Sequence, residues 1–400
     1  MTARPDILLV IGDQHRADFL RVAGNVLVQT PNLDAIARSG IYFARAVTVV
    51  PESGLALAAI GSGRYPLASP PTETPFATSP LGLALSTAGY TLAEITATRS
   101  LGETTARAVA HLSAPSQGPR ATVVHLPPTS AIEDLDDASL APYRGNGVPL
   151  AAYFAAVTAC DTAVGQMVAA LETAGRRADT LLIYTALTGE QFKYRDYTNH
   201  ANTCHDECIR VPLIASWPSA LSAGVTSDAL VGLHDLAPTI ADLAGADLAD
   251  VHGRSLRPLF ADAPAGDAGW RQTIYLQNRH LRHLGVTDDA ARPAFVVFPE
   301  WPQRAITDGR HKLILSGNHG KASLYDAAFD PEEEFDLFDV SRATPHGELR
   351  HFRSRRQRVE DLARQLAAAA ESIDDAVGAD LARSVLSDPL FGKSARGDPV

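Results

Sequence analysis

The sequence predicts an α/β protein, with a large, mainly parallel sheet between helices and a small C-terminal antiparallel sheet. Three observations predict it. Apolar runs of strand length are continuous rather than alternating, as in "DILLVIG", "ATVVHL" and "DTLLIYTAL", so these strands are buried on both faces. Longer stretches with helical spacing separate them. After about Ala265 the texture changes to short strands with little helix between them: "QTIYLQ", "PAFVVFP", "RAITD" and "HKLILSG". The expected organisation is an α/β domain over 1–265, a small-sheet subdomain over 266–344, and a helix with a tail over 345–400.

In chain order, "DILLVIG" is the first strand. "TPNLDAIARSG" follows as a helix with Thr30 as N-cap, Pro31 at its first position and Gly40 past its end. "PESGLALAAIGSGRYP", Pro51 to Pro66, is a short helix behind a turn, with Ser53 placed as its N-cap. The Pro/Thr/Ser-rich "SPPTETPFATSP" is a loop. "ATVVHL" returns as a strand, and "PLAAYFAAVTACDTAVGQMVAALETAG" is a long helix closed by Gly175. "DTLLIYTAL" and "VPLIASWP" are strands, "HDLAPTIADLAG" a further helix, and "RVEDLARQLAAAAESIDDAV" a charged helix before a polar tail. No internal repeat is visible.

At 400 residues the chain can bury a large core. Hydrophobic residues make up 46 % and charged residues 20 %, a balance that excludes disorder as the general state. A net charge of -11 argues against nucleic acid or an anionic membrane as partner. The single basic run, "HFRSRRQR", reads as the solvated face of the terminal helix. No run reaches the roughly 18 apolar residues of a membrane span, and the N-terminus enters a strand without a cleavage pattern. Cys160, Cys204 and Cys208 are too few for a disulfide framework. The expectation is a cytoplasmic protein.

In open α/β sheets the chemistry sits at the carboxyl ends of strands, which brings forward Asp13 and Gln14 after "DILLVIG". From there, "PDILLVIGDQHRADFL", "TPNLDAIARSGIYFARA", "GSGRYP", "CDTAVGQMVAALETAG", "DTLLIYT", "ECIRVPLI", "LHDLAPTIADLAGADLADVHGRSLRPLF", "DGRHKLIL" and "SLYDAAFDPEEEFDLFD" occur in one order between Pro5 and Asp339. In that order they resemble the sulfatase family of the alkaline phosphatase superfamily. The resemblance implies a hydrolase of sulfate or phosphate-type esters. Its nucleophile would be a formylglycine made from Cys or Ser in a C/S-x-P-x-R motif, at a helix N-terminus that favours an anion. A divalent metal, with Lys and His nearby, would spread the developing charge.

Carried over residue by residue, that machinery is mostly replaced. Ser53 stands at the nucleophile position, but Leu55 and Leu57 stand where the motif has Pro and Arg. Asp13 and Gln14 fall on metal-ligand positions, while Leu187 and Thr188 replace the later ligands. Thr98 and Ser100 fall near the family's Lys-x-His, and Ala201 on its second Lys. A hard cation wants about six oxygen ligands. No cofactor is therefore expected beyond a weak Ca²⁺ or Mg²⁺ at Asp13 and Gln14.

The remaining polar residues each have two readings. Ser53 is a helix cap or a nucleophile, Asp13 a loop-capping carboxylate or a weak cation and anion-site residue, and Glu190 a solvated loop acid or a general base. His200, Cys204, His205 and Cys208 in "NHANTCHDEC" offer soft ligands for zinc, or His200 and His205 line a remodelled pocket. His234, Arg210 and Asp235 read as structural. Three functions stay open: a non-hydrolytic pseudoenzyme that binds a small anion or an active paralogue, a scaffold repurposed for other chemistry through Ser53, Glu190, His200 or His205, and an ester hydrolase using unmodified Ser53. Self-association is a further expectation of the resemblance.

Overall fold

The computed structural model describes residues 4–67, 75–145, 150–192, 203–260, 269–279, 302–317, 321–338 and 349–388. The strands in chain order are β1 (Asp6–Gly12), β2 (Ile41–Phe43), β3 (Ala46–Val47), β4 (Thr91–Ile95), β5 (Arg120–His125), β6 (Thr180–Ala186), β7 (Leu213–Ser216), β8 (Val225–Ser227) and β9 (Val231–Gly232). Seven of them form the main sheet in the order β4-β5-β1-β6-β7-β2-β8. Its centre is parallel, with β1 between β5 and β6, and β7 is the one strand that runs against its neighbours. Then come β10 (Ile274–Asn278), β11 (Gln303–Thr307), β12 (His311–Ser316) and β13 (Lys321–Asp326), an antiparallel sheet in sequence order.

Strand parity explains the layers. Ile7, Leu9 and Ile11 of β1 share one apolar cluster with the helices α2 and α3 introduced below, whereas Leu8 and Val10 join another on the opposite face. α1 (Pro31–Arg38) packs on that opposite face with Leu33 and Ile36. α2 (Ser53–Ser62) and α3 (Pro80–Thr87) supply Leu55, Ile60, Leu81 and Leu85 to the first cluster. α4 (Leu101–Ser113), α5 (Asp137–Arg144) and α6 (Ala151–Thr173) follow, with Leu112, Cys160 and Met167 of α4 and α6 on the α1 side. Both faces of the sheet are thus covered, which is why its strands carry no polar alternation.

Several expectations are corrected. Thr30 precedes α1, but its hydroxyl accepts from Arg21 N and does not cap the helix. The cap is made from α6: Asp161 accepts from Leu33 N at 2.7 Å and from Asn32 N at 3.2 Å. α6 itself is long and apolar enough, by length and composition, to cross a membrane, with mean hydropathy 1.4 over its best window. Short polar interruptions such as Asp161 hide this from a search for unbroken apolar runs, and 61 % of that window is buried inside the fold. The C-terminal region holds two helices, Leu349–Ser372 and Ala376–Ser387, where one helix and a polar tail were expected. The basic run is not a free solvated face in its described part: Arg356 pairs with Glu360, and Arg358 with Asp308 of the β11–β12 turn. "PAFVVFP" and the last twelve residues lie outside the described residues.

The two C-terminal helices cover the small sheet through Val359, Leu362, Leu366 and Ala382. Between them Asp375 accepts from Arg304 Nε at 2.6 Å, from Tyr275 and Gln277, and from Gly378 N, so one buried carboxylate both caps a helix and ties it to β10 and β11.

Candidate functional site

Two sequence devices build the carboxyl edge of the main sheet around β1. Odd-numbered residues of β1 face α2, and Asp13 follows Ile11 in that parity. Gln14 then takes a left-handed backbone, φ 57, which is uncommon for a residue with a side chain. It is held there by its surroundings: its carbonyl accepts from Tyr153 OH at 2.7 Å and from Thr129 Oγ1 at 2.9 Å, and Ser130 Oγ donates to its Oε1.

Asp13 is the centre of the site. Ser53 Oγ donates to its Oδ2 at 2.8 Å. Thr188 Oγ1 and Gln14 N donate to Oδ1 at 3.1 and 2.9 Å. Burial pushes the Asp13 carboxyl above its ordinary value; the three donors oppose that rise, and the neighbouring Glu190 charge adds to it. Ser53 is not the helix cap expected of it. Glu52 is the cap residue, in extended conformation and without a side-chain cap bond, and Ser53 is the first helical residue with its hydroxyl turned to Asp13. Glu52 instead pairs with Arg279 at the end of β10, so the small sheet places a guanidinium beside the start of α2.

The other expected site residues go elsewhere. Glu190 is buried at 4 % exposure, not solvated, and its Oε1 accepts from Gln191 N and Phe192 N of its own loop. His205 bonds Thr203 Oγ1 at 3.0 Å and stacks edge-on against Tyr325 of β13. His200 and Ala201 lie outside the described residues. Cys204 and Cys208 are buried in the apolar cluster of the small sheet, and burial pushes each thiol up to about 12. Among the described residues no three His, Cys, Asp or Glu side chains gather as metal ligands. Leu55 and Leu187 are buried in the core cluster and Leu57 packs against it. Thr98 and Ser100 close the start of α4, where Ser100 Oγ accepts from Glu103 N.

This donor set does not fit a divalent metal. It offers the Asp13 carboxylate with both oxygens engaged by protein donors, the Gln14 amide oxygen engaged by Ser130, and a neighbouring Glu190 whose Oε1 is engaged by its own loop. Ca²⁺ and Mg²⁺ sites draw on several oxygens and more negative charge.

One pair escapes a reading from sequence. His125, the last residue of β5, pairs with Ile11 in register and points to the face that Asp13 uses. Its Nε2 lies 2.9 Å from Glu94 Oε1 of β4, and Phe76 N donates to the other Glu94 oxygen. The His125 bond holds the Glu94 carboxyl below its ordinary value against burial. A polar residue ending an otherwise apolar strand, "ATVVHL", was the available signal.

Comparison with known proteins bears on the family and the fold. A family model described as Sulfatase matches residues 5–101 and 103–246, and one described as N-sulphoglucosamine sulphohydrolase, C-terminal, matches 199–353. An N-acetylglucosamine-6-O-sulfatase of Bacteroides thetaiotaomicron is 34 % identical over 142 residues, which cover 34 % of this chain and 25 % of that protein. Human arylsulfatase A is 28 % identical over 207 residues, 46 % of this chain and 39 % of its own length. The matched stretch thus takes in well under half of these relatives. Among solved structures, the phosphonate monoester hydrolase of Agrobacterium radiobacter superposes with TM-score 0.63 at 19 % identity, over 84 % of this chain and 92 % of that one.

Proposed function

The chain belongs to the sulfatase family, and from that premise we propose that it is a sulfatase-fold protein without formylglycine- and metal-dependent ester hydrolysis, retaining the α2 end of the site for a small anion. The observation that carries this reading is the closed hydrogen-bonding of Asp13. Ser53 and Thr188 direct hydroxyls at the carboxylate where relatives in the resemblance have a nucleophile and a ligand. A serine within a motif lacking its Pro and Arg is a poor substrate for modification, and the Asp13 carboxylate that accepts from its hydroxyl already accepts from Thr188 and Gln14 N and is a weaker base than the imidazole that usually activates a serine. The free N–H groups at the first turn of α2 still favour an anion.

The test is twofold. Mass spectrometry of the peptide containing Ser53 is expected to find unmodified serine, and aryl sulfate or phosphate esters with added Ca²⁺ or Mg²⁺ are expected to remain unhydrolysed. Formylglycine at position 53, or turnover abolished by Ser53→Ala, would overturn the reading.

A second reading, a repurposed catalyst, is favoured by one observation: the Glu94–His125 pair on the Asp13 face of the sheet. A carboxylate that orients an imidazole is a general acid–base arrangement. It differs from the residues that sequence alone put forward, since Glu190 and His205 are spent on their own loop and on the small sheet.

A further inference from the structure

A cleft of about 440 Å³ lies where the main sheet meets the small one, separate from Asp13. Its main-sheet wall carries Arg45, Arg210 and Asp228, and its small-sheet wall is the β11–β12 turn with Arg310 and Lys312. That volume falls within the usual range of small-molecule sites, which often sit between structural units.

Charge pairing decides which of these groups remain for a ligand. Lys312 is held by Asp206 and by Glu333 at 2.7 Å. Arg310 is engaged by both oxygens of Asp326. Arg210 donates to the Ala44 carbonyl at 3.0 Å and faces the Asp206 charge. The side chains of Arg45 and Asp228 have no hydrogen-bond or ion-pair partner among the described residues, and they lie on adjoining segments: Ala44 N donates to Ser227 O, and Val231 N to Arg45 O. The Arg45 side chain lies over Gly309, whose left-handed backbone, φ 85, favours glycine. Val47, Leu230, Ala327 and Ala328 give the same cleft an apolar ledge.

We propose that this cleft binds an acidic monosaccharide: its carboxylate or sulfate on Arg45, its hydroxyls on Asp228, and the C–H face of its ring on the apolar ledge. A guanidinium presents paired donors to such an anion. An ionised carboxylate accepts only, and so takes hydroxyl donors. The assignment does not depend on whether Asp13 holds a metal or whether Ser53 reacts.

Isothermal titration of the whole protein with D-glucuronate, D-glucose, inorganic sulfate and glycine tests it. Glucuronate is expected to bind, and glucose, sulfate and glycine to bind at least about tenfold more weakly, since each lacks the acid or the ring. Arg45→Ala is expected to weaken glucuronate by roughly tenfold to a hundredfold, the scale of a lost charged hydrogen bond. Asp228→Ala is expected to weaken glucuronate while leaving sulfate unchanged. Both residues are exposed, and melting curves check that each variant is folded. Glucuronate binding that is absent or indifferent to Arg45→Ala overturns the proposal. Equal affinity for sulfate and glucuronate overturns the sugar, and preference for glycine would assign the cleft to a zwitterion instead.

Discussion

Ser53 Oγ lies 2.8 Å from Oδ2 of Asp13 and is the described donor to that oxygen, whereas Oδ1 is shared by Thr188 and Gln14. Removing the two hydroxyls should therefore cost different amounts. Ser53→Ala leaves Oδ2 unsatisfied and is expected to destabilise by about 1–3 kcal/mol; Thr188→Val leaves Oδ1 its backbone donor and should cost about 1 kcal/mol or less. Urea unfolding of the two variants measures this, and the reverse order would contradict the account.

Burial raises the Asp13 carboxyl, so the folded chain holds that proton more tightly than the unfolded chain does. Stability from this group is full below the ordinary value of 3.8 and is lost as pH rises through the raised folded value. Comparing wild type with Asp13→Asn in urea from about pH 4 to about pH 7, the wild type should lose its advantage as pH rises. A difference that grows with pH would refute it.

Glu333 gives a second pH dependence, at the joint of the two sheets. Burial pushes its carboxyl up to about 7; Lys312 opposes the rise and Asp206, competing for the same ammonium, adds to it. The sign is the same: the contribution is present below the ordinary 4.5 and lost as pH rises through about 7. Glu333→Gln should flatten the stability profile between those values, as read by denaturant midpoints.

Asp375 and Arg304 form a nearly dry ion pair, 3 % and 4 % exposed. Asp375→Ala strands the guanidinium and uncaps the last helix. The expected loss is about 3–5 kcal/mol, typical of removing one partner of a buried pair. An unchanged guanidinium midpoint would show that Arg304 finds another acceptor.

Returning ligands should return a metal. Leu187→Asp combined with Thr188→Asn adds a carboxylate and an amide beside Asp13, and the double variant is expected to bind Ca²⁺ by calorimetry where the parent binds far more weakly. Because Leu57 still stands in the place of an arginine, ester hydrolysis is not expected to accompany it. Equal Ca²⁺ binding in both proteins would place the cation elsewhere.

Much of the fold was legible because burial on both faces writes itself along the chain: "DILLVIG" and "DTLLIYTAL" have no polar alternation, and both are central strands. The positions of Leu55, Leu57, Leu187 and Thr188 within the resemblance were legible for a similar reason, since order along the chain locates them. Their consequence was not. Thr188 reaches Asp13 across 175 positions and Glu94 meets His125 across 31, pairings made by which strands lie side by side. The start of α2 misled because a serine before an apolar run fits a cap, whereas Ser53 is already helical and its hydroxyl donates to Asp13. α6 misled because single polar residues interrupt an apolar helix without making it a polar one.

The cap that Asp161 supplies to Asn32 and Leu33 has a consequence in time. A helix that closes its own first turn can form as soon as it is made, but α1 borrows its acceptor from a residue 128 positions beyond Leu33. During synthesis the opening segment must wait, unfinished, for the middle of the chain. A fragment ending before Asp161 is expected to leave the Asn32 and Leu33 amides open to hydrogen exchange, and the full chain to protect them.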